Sequence, residues 1–118
     1  MITNKSELNV GIDVDLTLIG EHQSNNHAKG DYLYKFDYYG KVVYAERIDR
    51  HIDLLVAYKK RGYHVTVWSA NGWQWAEQVI NRLDLSEYVD VVMTKPCRYV
   101  DDSDWHSFCH RVFIPESK

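Results

Sequence analysis

The stretch Leu8-Asn9-Val10-Gly11-Ile12-Asp13-Val14-Asp15-Leu16-Thr17 is an apolar run that ends in two carboxylates and a hydroxyl. Side chains two apart in a strand point to the same side, so Asp13 and Asp15 begin close together where the chain leaves the sheet. Two like charges so placed call for a cation, and a hard divalent ion with oxygen ligands is the natural partner. The alternative is a strand that simply ends in a solvated acidic turn, since turns favour Asp on their own account.

Composition narrows the setting. A chain of 118 residues suits one domain, and a domain of that size buries roughly two thirds of its unfolded surface, enough for one modest core. Fourteen Lys and Arg against 17 Asp and Glu give a formal charge of −3. That balance argues against a general nucleic-acid or membrane-surface binder driven by net positive charge. No apolar run approaches the ~20 residues of a membrane span, and Met1-Ile2-Thr3-Asn4-Lys5 lacks the apolar core of a signal peptide, so a cytosolic protein is expected. With only Cys97 and Cys109, and no CxxC pair, reduced thiols are the default.

Residues 1–7 are polar, and the first strand is expected over residues 8–14. Residues 21–30, rich in Asn, His, Ser and Gly, read as a loop. Residues 31–46 are dense in Tyr, Phe and Val and broken once, at Tyr39-Gly40-Lys41, which predicts a hairpin. A helix is expected over 49–61, with Asp49 able to cap it, Ile52, Leu55 and Val56 on one stripe, and Gly62 just past its end. Residues 63–68 predict a buried strand that delivers Ser69, and residues 73–83 predict a second helix on Trp75, Ala76, Val79, Ile80 and Leu83. Further strands are expected at 89–93, 98–100 and 111–114, with one or two helical turns between 103 and 109. This β-α-β-α-β rhythm implies an α/β fold with a parallel sheet, right-handed crossovers and helices on its faces.

Ligands of open parallel sheets sit beyond the carboxyl ends of the strands. Asp13 with Asp15, Ser69, and Asp101 with Asp102 all stand at such expected ends, and Lys95 precedes one. Four separate segments thus aim polar residues at one edge. Taken in order, Asp13-Val14-Asp15-Leu16-Thr17, Ser69 after an apolar strand, Lys95-Pro96 and Val100-Asp101-Asp102 resemble the four-motif signature of the haloacid dehalogenase superfamily. The likeness spans residues 10–114. Many members have Gly where Leu16 stands.

The resemblance implies a Rossmann-like three-layer sandwich with sheet order 5-4-1-2-3, Mg²⁺ as cofactor and an aspartyl-phosphate intermediate. It also implies the roles. Asp13 is the expected nucleophile and Asp15 the general acid and base. Ser69 and Lys95 would hold the phosphoryl oxygens, with Thr17, Ala70 and Asn71 completing the substrate-binding pocket. The metal would be held by Asp13, the Asp15 backbone carbonyl and Asp101, with Asp102 either a ligand or a partner of one. The expected activity is phosphomonoester hydrolysis. The 20–47 insertion has room for a hairpin flap but not for a cap domain, so the site should be open. Tyr32, Tyr34, Phe36, Tyr38 or Tyr44 of that flap could stack on bases, which makes nucleotides or nucleic-acid ends with a terminal phosphate the expected substrates. Equally, the hairpin aromatics could pack on one another or on the sheet. No membrane and no obligate protein partner is expected.

Three competing readings remain. Cys97, His106, Cys109 and His110 could be drawn as a zinc site, but their spacing fits no standard pattern. A receiver-type phosphoacceptor also has an acidic pair, a hydroxyl and a Lys, but its Lys comes last, whereas Lys95 precedes Asp101 and Asp102. An idle phosphate-binding module with the same fold is the third. Trp68, Trp73 and Trp75 are expected mainly in the core.

Overall fold

The computed structural model describes residues 8–21 and 33–115. Its elements are β1 (Asn9–Asp13), β2 (Ile19–Glu21), β3 (Leu33–Tyr38), β4 (Lys41–Arg47), α1 (Asp49–Lys60), β5 (His64–Ser69), α2 (Trp73–Arg82) and β6 (Val91–Thr94). Single 3-10 turns lie at Ser86–Tyr88 and Trp105–Ser107. The expectations for residues 1–7, for the 22–30 loop and for Tyr32 lie outside the described residues.

β1, β5 and β6 form a parallel sheet in that order, with Asp13 opposite Trp68 and Ser69 opposite Thr94. Val65, Val67 and Ser69 are fully buried, whereas Thr66 and Trp68 between them are partly exposed, so one face of β5 is covered. The two connections step the same way across the sheet, and right-handed crossovers then set α1 and α2 on that one face. There Ile52 and Leu55 from α1 and Trp75, Ala76, Val79 and Ile80 from α2 join Ile12, Val14, Val65 and Val67 in one core cluster. Each such aliphatic side chain contributes about 1.5–3 kcal/mol on burial. On the other face Trp68 lies over Gly11, where an added Cβ would meet the indole at 3.2 Å. Glycine is what lets the ring approach the strand.

The β3–β4 hairpin forms where expected. Tyr39 and Gly40 take φ of 51° and 90°, the paired positive values of a two-residue turn matched to strand twist. β2 pairs antiparallel with the other side of β4, giving a second sheet in the order β2-β4-β3. Gln78 of α2 both accepts from the Asp37 N–H and donates to its carbonyl, each at 2.7 Å. This side chain stands in for a neighbouring strand and fastens the free edge of β3 to α2.

Four expectations need correction. α1 is not capped by Asp49: Ile48 occupies the cap position without a side-chain bond, and Asp49 pairs with Arg47 at 2.9 Å. The third layer has no helix among the described residues, because both α-helices are used on one face. Residues 98–100 form no strand. Local bonds win there instead: Asp101 accepts from the Ser103 N–H, Asp102 from the Ser103 hydroxyl and Asp104 from the His106 N–H. The two bonds that Asp101 and Asp104 accept from backbone N–H groups compete with a ladder, and three residues cannot offset their ordering entropy without one. Residues 111–114 likewise form no ladder, and Ile114 is tied to α1 through Arg50 and His51. The parallel sheet therefore has three strands among the described residues, where five were expected. No helix among those residues is long and apolar enough to cross a membrane.

Candidate functional site

β1 stops at Asp13 because the chain then folds back on itself. The N–H groups of Thr17, Leu18 and Ile19 all point to the Val14 carbonyl, and the Leu16 N–H donates to the Ile19 carbonyl at 2.8 Å. Leu16 pays for this turn with a φ of 65°, in the left-handed region that costs a non-glycine residue ~1 kcal/mol or more. Its side chain is exposed. The turn places the Thr17 hydroxyl to donate to Asp13 Oδ2 at 3.2 Å.

Lys95 reaches the same carboxylate from the position just after β6. Its backbone N–H donates to the Ser69 carbonyl at 2.9 Å, which sets the direction of the side chain. Its Nζ lies 3.8 Å from Asp13 Oδ1 and 5.7 Å from the centre of the Trp68 ring. Both partners are partly exposed, so the pair adds little stability. Its consequence is to hold a cation and a hydroxyl on either oxygen of Asp13.

Asp15 is held differently. Asn71 Nδ2 donates to its Oδ2 at 2.9 Å, the Ser69 hydroxyl donates to the same oxygen at 3.3 Å, and the Trp75 indole N–H donates to Oδ1 at 3.1 Å. Asn71 is itself clamped, its backbone N–H donating to Ser69 Oγ, its Oδ1 accepting from the Tyr38 hydroxyl at 2.8 Å and its carbonyl from the Tyr39 hydroxyl. These bonds set the orientation of its amide and tie the hairpin to the site. Gly72 follows with φ of 107° and starts α2, and a Cβ there would stand 2.6 Å from the Tyr39 hydroxyl.

The structure thus brings together Asp13, Asp15, Thr17, Ser69, Asn71 and Lys95 of the expected site. Ala70 is exposed at the same edge. Ser69 is fully buried and its hydroxyl is spent on Asp15 and Asn71, so the polar group that faces outward beside Asp15 is the Asn71 amide. Asp101 and Asp102 are not gathered with Asp13. They lie exposed on a loop and bond to Ser103. Among the described residues no group of three or more His, Cys, Asp or Glu side chains stands where it could hold a metal ion.

Between the hairpin sheet and this edge lies a cleft of about 370 Å³ whose lining includes Asp15, Leu16, Tyr38, Tyr44, Asn71 and Trp75. Of the hairpin aromatics, Tyr44 is open to solvent and Tyr38 is half-buried edge-on against Trp75, while Phe36 is buried. The Trp75 bond to Asp15 was not legible as such, although an indole buried in the first turn of a helix implies some acceptor for its N–H. Comparison with protein-family models, curated proteins and solved structures returned no match to this chain.

Proposed function

We propose that this chain is a magnesium-dependent phosphomonoester hydrolase of the haloacid dehalogenase type, acting through an aspartyl-phosphate intermediate. The observation that carries this reading is Asp13, a partly exposed carboxylate at the carboxyl end of a parallel strand with the Thr17 hydroxyl on one oxygen and the Lys95 ammonium near the other. A phosphoryl group brought to such a carboxylate meets a nucleophile and a cation together. Asp13 attacks phosphorus, the bond to the leaving oxygen breaks, and Asp15 donates the proton that oxygen needs. Water then cleaves the acyl phosphate, Asp15 taking its proton, and Asp13 is regenerated. Lys95 and the Asn71 amide bind the phosphoryl oxygens, while the buried Ser69 hydroxyl orients Asp15 and Asn71. On this reading β1, β5 and β6 correspond to strands 1, 2 and 3 of the order 5-4-1-2-3, whose strands 4 and 5 have no counterpart at 98–100 or 111–114, and the hairpin is the flap.

Mg²⁺ is commonly bound through one or two carboxylates and keeps several waters, so the donors at this edge fit it in a limited form. The Asp13 carboxylate and the Asp15 backbone carbonyl would hold it, and Asp101 with Asp102 would join them only if their loop closed over the site. When bound it offsets negative charge on the phosphoryl group. The cleft beside Asp15, with Tyr38, Tyr44 and Trp75 in its lining, supports nucleotides or nucleic-acid ends with a terminal phosphate as substrates, since aromatic faces stack on bases at ~1–3 kcal/mol each.

The test is hydrolysis of p-nitrophenyl phosphate with Mg²⁺, with EDTA, and by Asp13→Asn. Turnover should require Mg²⁺ and vanish in the variant, and turnover by Asp13→Asn near that of the wild type would sink the mechanism. A second reading, a phosphate-binding module without turnover, is favoured by Asp101 and Asp102, which are exposed and accept hydrogen bonds from Ser103. It predicts phosphate binding by both proteins and hydrolysis by neither.

A further inference from the structure

His51 on α1 is 3% exposed, yet it bonds to two distant parts of the chain. Its Nδ1 lies 2.9 Å from the Thr17 carbonyl, and the Ile114 N–H donates to its Nε2 at 3.0 Å. A carbonyl only accepts and an amide N–H only donates, so this pair of bonds selects the tautomer with the proton on Nδ1. The ring also lies against Phe113, centroids 4.8 Å apart, and the neighbouring Arg50 donates from Nε to the Ile114 carbonyl at 2.7 Å. Residues 113–114 are therefore strapped to the start of α1 by two hydrogen bonds and a ring contact, on the side chain that also grips the turn after β1. Thr17, the gripped residue, is the one whose hydroxyl donates to Asp13.

We propose that His51 is a positioning residue that couples the 113–114 strap to the Asp15–Leu18 turn and, through Thr17, orients Asp13. Its bearing on catalysis rests on the reading of Asp13 as nucleophile, but the coupling itself does not. A histidine retained only to fill the core would be replaced by leucine without consequence for the turn. Glutamine, by contrast, carries an amide that can donate to the Thr17 carbonyl and an oxygen that can accept from Ile114. Proline at 114 deletes the N–H that His51 accepts and leaves in place the carbonyl that accepts from Arg50 and the Phe113 ring contact.

The experiment is NMR of the 118-residue chain. Long-range proton–nitrogen correlation should show His51 in the Nδ1–H tautomer at neutral pH. Amide exchange at Leu16 and Leu18, whose N–H groups close the turn, should be about tenfold faster in His51→Leu, the equivalent of one net hydrogen bond. The increase should be about threefold in Ile114→Pro and within about twofold of wild type in His51→Gln. A dominant Nε2–H tautomer, or wild-type exchange in both His51→Leu and Ile114→Pro, would overturn the proposal. None of these readouts depends on turnover, so a protein without phosphatase activity that passes them keeps the coupling and loses only the proposed reaction.

Discussion

The chain carries two acidic pairs, and they meet opposite fates. Asp13 ends a strand that is hydrogen-bonded to β5 and Asp15 lies in the turn just after it, and between them they collect bonds from Thr17, Ser69, Asn71 and Trp75 with Lys95 close by. Asp101 and Asp102 follow a segment with no ladder partner among the described residues, and they accept from Ser103. The residue types are the same. What differs is the backbone that delivers them: a paired strand end holds carboxylates where side chains from three other segments converge, and an unpaired one leaves them to cap a local turn.

Putting the same change in both places breaks or sharpens that contrast most. Asp13→Asn should lower hydrolysis by about 10⁴-fold or more, as loss of a nucleophile does. Asp101→Asn should leave the rate at saturating Mg²⁺ largely intact and raise the Mg²⁺ needed for half-activity by about tenfold, provided its loop closes. An unchanged Mg²⁺ requirement would remove the second pair from the site altogether. Next in size comes Asp15→Asn, expected to cost about 10²–10⁴-fold on an alkyl phosphate and far less on an activated aryl phosphate, because only the poor leaving group needs a strong acid. Equal losses on both would contradict its role.

Stability offers a smaller version of the same test. Gly72→Ala adds a Cβ 2.6 Å from the Tyr39 hydroxyl at a φ of 107°, and should cost roughly 1–3 kcal/mol, readable in thermal unfolding at about 4 °C per kcal/mol. Val100→Ala on the wholly exposed loop should stay within about 0.5 kcal/mol of wild type. A comparable loss at both positions would mean that the loop is packed in solution.

A smaller effect than that of Gly72 belongs to Asp90, away from both pairs. The Lys59 ammonium at 2.7 Å, followed by the Val65 N–H, holds its carboxyl below the usual value of 3.8. A carboxyl depressed in the folded state adds stability that is present above its unfolded value and lost as pH falls through the folded one. Asp90→Asn should therefore lower the melting temperature at pH 7, by the equivalent of about 1 kcal/mol or less for so open a pair, and the gap to wild type should narrow progressively as pH falls below the usual carboxyl value of 3.8. A constant gap from pH 7 to pH 2 would refute the ionic origin of the contact.

Local physical chemistry by itself determined much of this protein. The apolar run before Asp13 reads as a strand because nothing in it breaks the ladder. The turn at Tyr39-Gly40 reads as a hairpin because a glycine there takes positive φ freely. The end of α1 reads at Gly62, which takes φ of 89° and donates to the Lys59 carbonyl. His51 could have been suspected, since it lies four residues before Leu55 on the buried stripe, but its partners could not. Only the tertiary structure decided that Ser69 serves Asp15 from inside the core, that Trp75 spends its N–H there, and that Asp101 and Asp102 lie apart. The reason is range. A strand, a turn or a helix end is settled by residues within a few positions of one another, whereas the bonds to Asp15 span 54 to 60 residues and exist only once β1 and β5 have aligned in register. No residue type announces a partner that far away, and a strand whose partner never forms reads in sequence just like one whose partner does.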